Sequence, residues 1–312
     1  MTGAQTVAKR PSTTIRPSRA GPRATAPDAG PEGAHRPVLD YAQKFLPDAL
    51  TFAAELTFLS DVEQRFFSQV QGRTYANVLG LLARWIGAKK LELCADYALG
   101  EPALIAALVR SSEEELEHQE LFRAVEAATG AWMPPGYAFT HDPSAVARTV
   151  LGGSAWAVLA LACMVERAAD ASYREQISPC RELAEDYRDV LRRHARAERR
   201  HAALTELEWR REDAHIGADE RDAAVGDLIA LVRVIDTILQ VQAASDAGYV
   251  ARACGSRLAE EETRRLEAAM LKAYRLQHVL AGFDEPAFAA ALAELVSAEQ
   301  RGRVDAALAG LR

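Results

Sequence analysis

No stretch of this sequence stays apolar for long enough to cross a membrane. The longest uncharged run, Thr149 to Val165, is 17 residues and contains Gly152, Gly153 and Ser154, so it reads as a buried core helix. Cysteine is scarce: Cys94, Cys163, Cys180 and Cys254 stand apart with no CxxC pair. That excludes a disulfide framework and a zinc knuckle, and it fits a reducing cytoplasm. No basic patch with interleaved aromatics occurs, and the formal net charge of -7 argues against a nucleic-acid partner. Nor does any segment alternate apolar and polar residues as a half-buried strand does.

Large apolar residues are nearly absent from residues 1–37. The segment holds six of the thirteen prolines, and Lys9, Arg10, Arg16, Arg19, Arg23 and Arg36 outnumber Asp28 and Glu32. Such a composition cannot bury a core, and disorder is expected up to about residue 40. Without an apolar h-region it is no secretory signal, and it reads as a solvated tail rather than an organellar transit peptide.

From Asp40 onward the apolar residues recur with helical period, so the expected fold class is all-α. A first long helix is expected from Asp61 to Ala98, stopped by Gly100 and Pro102. A second runs to about Gly130, and a third spans Ser144 to Ile177. Ser178-Pro179 supplies an N-cap and an N1 proline for a fourth, ending near Asp213. Three more follow at about 219–248, 257–281 and 286–309. They are free to wall a substrate pocket, cover the core or form a homodimer contact.

Three of these helices carry heptad seams with ionisable residues in the middle. On the second the seam is Leu104, Leu108, Ser111, Glu115, His118, Phe122 and Val125. On the third it is Ala155, Leu159, Ala162, Glu166, Ala169 and Tyr173. On the fourth it is Leu183, Tyr187, Leu191, His194, Glu198, His201 and Thr205. His194, Glu198 and His201 lie within roughly 60° on one face, while Arg192, Arg193, Arg196, Arg199 and Arg200 share the other. Desolvating unpaired carboxylates is costly, so the seam residues need a shared partner. Glu166 and Glu198 are equidistant from the break near residue 182 and therefore level in an antiparallel pair.

The order Glu115-x-x-His118, Glu166, His194-x3-Glu198-x2-His201 resembles the ferritin-like di-iron carboxylate superfamily. It is similar to the p-aminobenzoate N-oxygenase pattern, which adds a third histidine. The phrases "EELEHQELF" and "TYANVLGLLARWIGAKKLE" also resemble uncharacterised bacterial ferritin-like proteins, from about Leu56 to the C-terminus. The resemblance implies a ferritin-like four-helix bundle over residues 41–215, with additional helices over 216–312 packed on it. It further implies a cytoplasmic non-haem di-iron (or Mn/Fe) oxidase or oxygenase, with O2, a small organic substrate and an electron donor as partners. One metal would be held by Glu166, His194, Glu198 and His201, the other by Glu115 and His118; no further catalytic residue is assigned.

The pattern departs from the family at one place. A turn centred near residue 99 sets position 83 level with Glu115, where such proteins carry Glu and this one has Ala83. Ala76, Gly80, Ala83 and Gly87 form a small-residue stripe that leaves room for water, substrate or an exogenous carboxylate. The expected cofactor is thus iron, as two ions or as one if the site is incomplete, with manganese as the alternative. The rival reading is a non-enzymatic helical protein with a degenerate site, in which Arg84 swings in to pair with Glu115 or Glu198. Iron storage fits less well, because the chain exceeds a minimal ferritin bundle. Glu113, Glu114 and Glu117 are expected on a solvated face. His278 is expected half-buried in the core, His141 is expected to help cap the third helix, and His35 and His215 are expected in solvent.

Overall fold

The computed structural model describes residues 37–97, 100–254 and 258–312. The tail expected before residue 37 lies outside the described residues, and Leu39, just after it, is already 7% exposed and part of the core. Among the described residues the chain is helical throughout; the only β-type pairing is an isolated bridge between Lys44 and Leu183. No helix among them is long and apolar enough to cross a membrane.

A short turn of helix, α1 (Asp48–Thr51), precedes the first long helix, α2 (Asp61–Asp96). A capping box starts α2: the Ser60 hydroxyl accepts from the Glu63 N–H, and Glu63 Oε2 accepts from the Ser60 N–H at 2.8 Å. Pro102 stands at the first position of α3 (Pro102–Trp132), where its missing N–H costs nothing. Asp142 Oδ1 caps α4 (Pro143–Leu151) by accepting from the Ser144 N–H at 2.9 Å. His141 bonds the Thr140 hydroxyl instead, so the carboxylate beside it is the cap.

The expected third helix is two. After α4 the chain breaks at Gly152-Gly153-Ser154, and α5 (Ala155–Ser172) continues into a π turn over Tyr173–Ile177. Ser178-Pro179 does not open the fourth helix. Residues 183 and 184 pair with Lys44, the Ala184 N–H donating to its carbonyl at 2.9 Å, and α6 (Glu185–His215) begins after them. α7 (Ala218–Ala253) and α8 (Glu260–Arg275) pack on each other, and α7 also packs on α5. A second π turn, Leu276–Leu280, leads into α9 (Ala281–Phe283), then α10 (Pro286–Leu295) and α11 (Ala298–Ala309).

Two close pairings position the site. α2 and α3 run antiparallel, and the small-residue stripe is used up by their approach. A Cβ on Gly80 would lie 3.4 Å from Phe122 Cβ, and one on Gly87 only 3.2 Å from Glu115 Cβ. The Ser112 hydroxyl crosses to the Gly87 carbonyl at 3.0 Å. α5 and α6 pair through Trp156 and Trp209, edge to face at 5.2 Å, with Trp156 Nε1 donating to Asp213 at 2.8 Å. Trp85, Trp156 and Trp209 are among the largest fully buried side chains, whereas Trp132 is half-buried and stacked on Tyr41.

Candidate metal centre

The inward seams of α3, α5 and α6 converge on one buried polar cluster, and α2 completes it. The i, i+3 spacing on α3 puts Glu115 and His118 on one face, and i, i+4 then i+3 on α6 does the same for His194, Glu198 and His201. Glu115, His118, Glu198 and His201 each offer a ligand atom within 4.8 Å of the others, and all four are buried. His118 Nδ1 sits between two carboxylates, 3.2 Å from Glu115 Oε2 and 3.1 Å from Glu198 Oε1. His201 Nδ1 sits between the other two oxygens, 3.1 Å from Glu115 Oε1 and 3.7 Å from Glu198 Oε2. Neither contact has the alignment of a good hydrogen bond.

The two ligand groups expected from the sequence are regrouped. His194 Nε2 meets Glu198 Oε1 at 3.0 Å and so supports that carboxylate from outside the four-donor set. Glu166, 0% exposed, faces Lys90, whose Nζ lies 3.0 Å from Glu166 Oε1 and 2.8 Å from Glu115 Oε1. An ammonium group thus stands between Glu115 and Glu166, the carboxylates expected to hold different ions. Arg84 takes no part: it is exposed and donates to the Ser144 hydroxyl. Nor is Ala83 the residue level with Glu115, since Gly87 is.

Lys90 had a legible signal. Ala76, Gly80, Ala83, Gly87 and Lys90 step by 4, 3, 4, 3, so the lysine continues the small-residue stripe onto the same inward face. Glu114, expected on a solvated face, instead reaches the cluster. Its Oε2 accepts from His201 Nε2 at 2.6 Å, and its Oε1 accepts from Arg200 at 2.8 Å. One position off the α3 seam still lies close enough for a glutamate to reach across to α6. His201 is therefore held at Nε2 and presents Nδ1 to the cluster, the carboxylate–imidazole support commonly found behind metal-ligating histidines.

Burial works against every charge here, and the partners decide which charges persist. Burial disfavours protonated His118, but the carboxylates of Glu115 and Glu198, which accept its hydrogen bonds, raise its pKa to about 9. The same opposition, won by the same carboxylates, raises His201 to about 10. At His194 burial prevails, the pKa falls, and the neutral ring donates Nε2–H to Glu198. Lys90 is buried too, yet Glu166, Glu115 and Glu198 hold it well above the usual ammonium range. Burial and Glu198 push Glu115 up, but Lys90 and the two histidines take it down to about 2. Glu166 is raised by burial that Lys90 only partly offsets. A divalent cation held by Glu115, His118, Glu198 and His201 would displace the two imidazole protons and leave the net charge unchanged.

Phe122 closes one side. Its ring meets His194 edge to face at 5.0 Å, and on its far side lies a surface groove of about 450 Å³. Ala76, Gly80, Phe139 and Arg84 also line that groove. Comparison with protein-family models, with curated proteins and with solved structures returns no match.

Proposed function

We propose that the chain is a non-haem metal oxidoreductase holding one redox-active divalent ion, iron or manganese, at Glu115, His118, Glu198 and His201. Lys90 takes the place of a second ion. On this reading α2, α3, α5 and α6 form a ferritin-like four-helix bundle of the di-metal carboxylate type, reduced to one metal. The observation that carries it is a buried set of two imidazoles and two carboxylates whose ligand atoms lie within 4.8 Å of one another. Two carboxylates and two imidazoles without a thiolate suit iron or manganese.

When bound, the ion would supply the redox chemistry with O2. The chain's own residues do the rest. Glu114 fixes the rotation of His201, neutral His194 steadies Glu198, and Phe122 separates the cluster from the groove where a small organic substrate would sit. Lys90 neutralises Glu115 and Glu166 without offering a ligand atom for a metal.

Titration of EDTA-treated protein with Mn(II), followed by electron paramagnetic resonance, tests the metal. One tight site, lost in Glu198→Ala, is expected. The redox part is tested by O2 uptake of the Fe(II)-loaded chain against free Fe(II), with His201→Ala as the negative control. The competing reading is a metal-free network, favoured by the pairing Lys90 and the histidines already provide. It predicts no tight Mn(II) site and no change on adding the ion.

A further inference from the structure

Beyond the cluster, the inward faces of α2 and α6 continue toward the α2–α3 connection with polar side chains, while α3 brings Ser111 and then the apolar Leu108. On α2 the series runs on from Lys90 to Cys94 and Tyr97, again by 4 and 3. Cys94 Sγ donates to the Lys90 carbonyl at 3.3 Å. On α6, Thr205 and Glu208 follow His201 by 4 and 3, and both are buried. α3 and α6 are antiparallel, with His201 beside Glu115 and His194 beside Phe122, so Thr205 falls level with Ser111. Seven residues of α6 separate His201 from Glu208, about 10 Å along the axis.

Two buried polar atoms on this path have no hydrogen-bond partner among the described residues: Ser111 Oγ and Glu208 Oε1. The other oxygen of Glu208 accepts from the Tyr97 hydroxyl at 2.7 Å. Tyr97 is half-buried, with the Arg211 guanidinium 4.6 Å above its ring and Arg211 in turn paired to Glu101 at 3.1 Å. A carboxylate that is 2% exposed does not leave an oxygen dry without a large cost. Polar orphans in line are the usual lodging for buried water. Arg211 outside and Lys90 inside make this stretch unattractive to metal cations.

We propose that Glu208 is the outer station of a hydrated proton path joining the buried cluster to solvent at this end, with Ser111 as the inner station. Tyr97 is a positioning residue: by donating to Oε2 of the resting carboxylate it leaves Oε1 as the proton acceptor, and it lets the group go once that oxygen is protonated. Glu208 takes up one proton at Oε1 from a water on the Ser111 side. The carboxyl group then turns and releases that proton to water at Tyr97; no other bond changes and no electron moves. The path's use in exchanging protons for metal rests on the metal-centre reading, but its existence does not.

The test therefore needs no metal. The chain has five lysines, so the ammonium signals of a ¹⁵N-lysine sample are few and Lys90 is assigned by loss in Lys90→Arg. Exchange of the Lys90 ammonium protons with water should slow at least about tenfold in Glu208→Gln, the order expected when a positioned acid–base group is removed. Formate or acetate as a diffusible carrier should restore it, and Lys89 should be unaffected. Tyr97→Phe and Ser111→Val give the same slowing and serve where Glu208→Gln folds poorly. Unchanged Lys90 exchange in all three variants overturns the path. Absence of a tight Mn(II) site would refute the metal reading and leave this result standing.

Discussion

Lys90→Met removes the ammonium and keeps most of the side-chain volume. In the metal-free protein it leaves Glu115 and Glu166, 1% and 0% exposed, without the cation they share. Removing one partner of a buried ion pair costs about 3–5 kcal/mol, because the remaining charge stays desolvated. The loss should fall at the low end, since burial already favours the neutral form of Glu166. Urea denaturation in EDTA would read it directly. A divalent ion should then restore stability, because the freed carboxylates now have a use for it: about 2.7 kcal/mol at a hundredfold excess over Kd. The number of Mn(II) ions bound should rise from about one toward two, as in carboxylate bundles with both positions open. Adding Glu166→Gln to the variant should recover most of the stability without metal. A change under about 0.5 kcal/mol in EDTA, the scale of a neutral surface substitution, would refute the assignment of Lys90 as the cluster's internal cation.

Other consequences are independent of that lysine. Glu114→Gln leaves His201 Nε2 without its carboxylate, and Mn(II) affinity should fall about 10- to 100-fold with little change in stability. Asp246 is fully buried, and burial raises its pKa to about 7 against the donors Thr74, Tyr274 and Gln242. The folded state therefore holds a proton that the unfolded chain releases near pH 4, so stability should fall as pH rises from about 4 to 7, by roughly 4 kcal/mol at most. Asp246→Asn should flatten that part of a stability-versus-pH curve. At Gly282 an added Cβ would overlap Met164 Sδ and lie 2.9 Å from the Met164 carbonyl, so Gly282→Ala should lower the unfolding free energy by about 1–3 kcal/mol. Gly302 has nothing within 4 Å in α11, and Gly302→Ala should raise it by roughly 0.5–1 kcal/mol.

What could be read in advance followed from local periodicity. The seams of α3 and α6 are strict 4, 3 alternations, and they correctly placed Glu115, His118, His194, Glu198 and His201 on inward faces. Register was harder, because it depends on a turn. Any error in the turn's centre is doubled at the partner position. Taking it at 99 named Ala83, whereas the pairing of Gly87 with Glu115 and Gly80 with Phe122 centres near 101. The start of α6 was hidden for another reason: residues 183 and 184 are engaged by Lys44, a segment more than a hundred positions away. Lys90 went unnoticed because lysine is no metal ligand, although its place in the stripe was visible. Residues weighed as ligands one by one do not reveal a cation set among them.

The central claim is a count, one metal per chain. The full chain should be reconstituted anaerobically with excess Fe(II), freed of unbound ion, and analysed for iron against protein by elemental analysis. About one equivalent is expected, falling below about a tenth in Glu198→Ala. Two equivalents in the unsubstituted chain would mean that Lys90 does not hold the second position, and less than about a tenth would mean that the cluster is a closed network of charges.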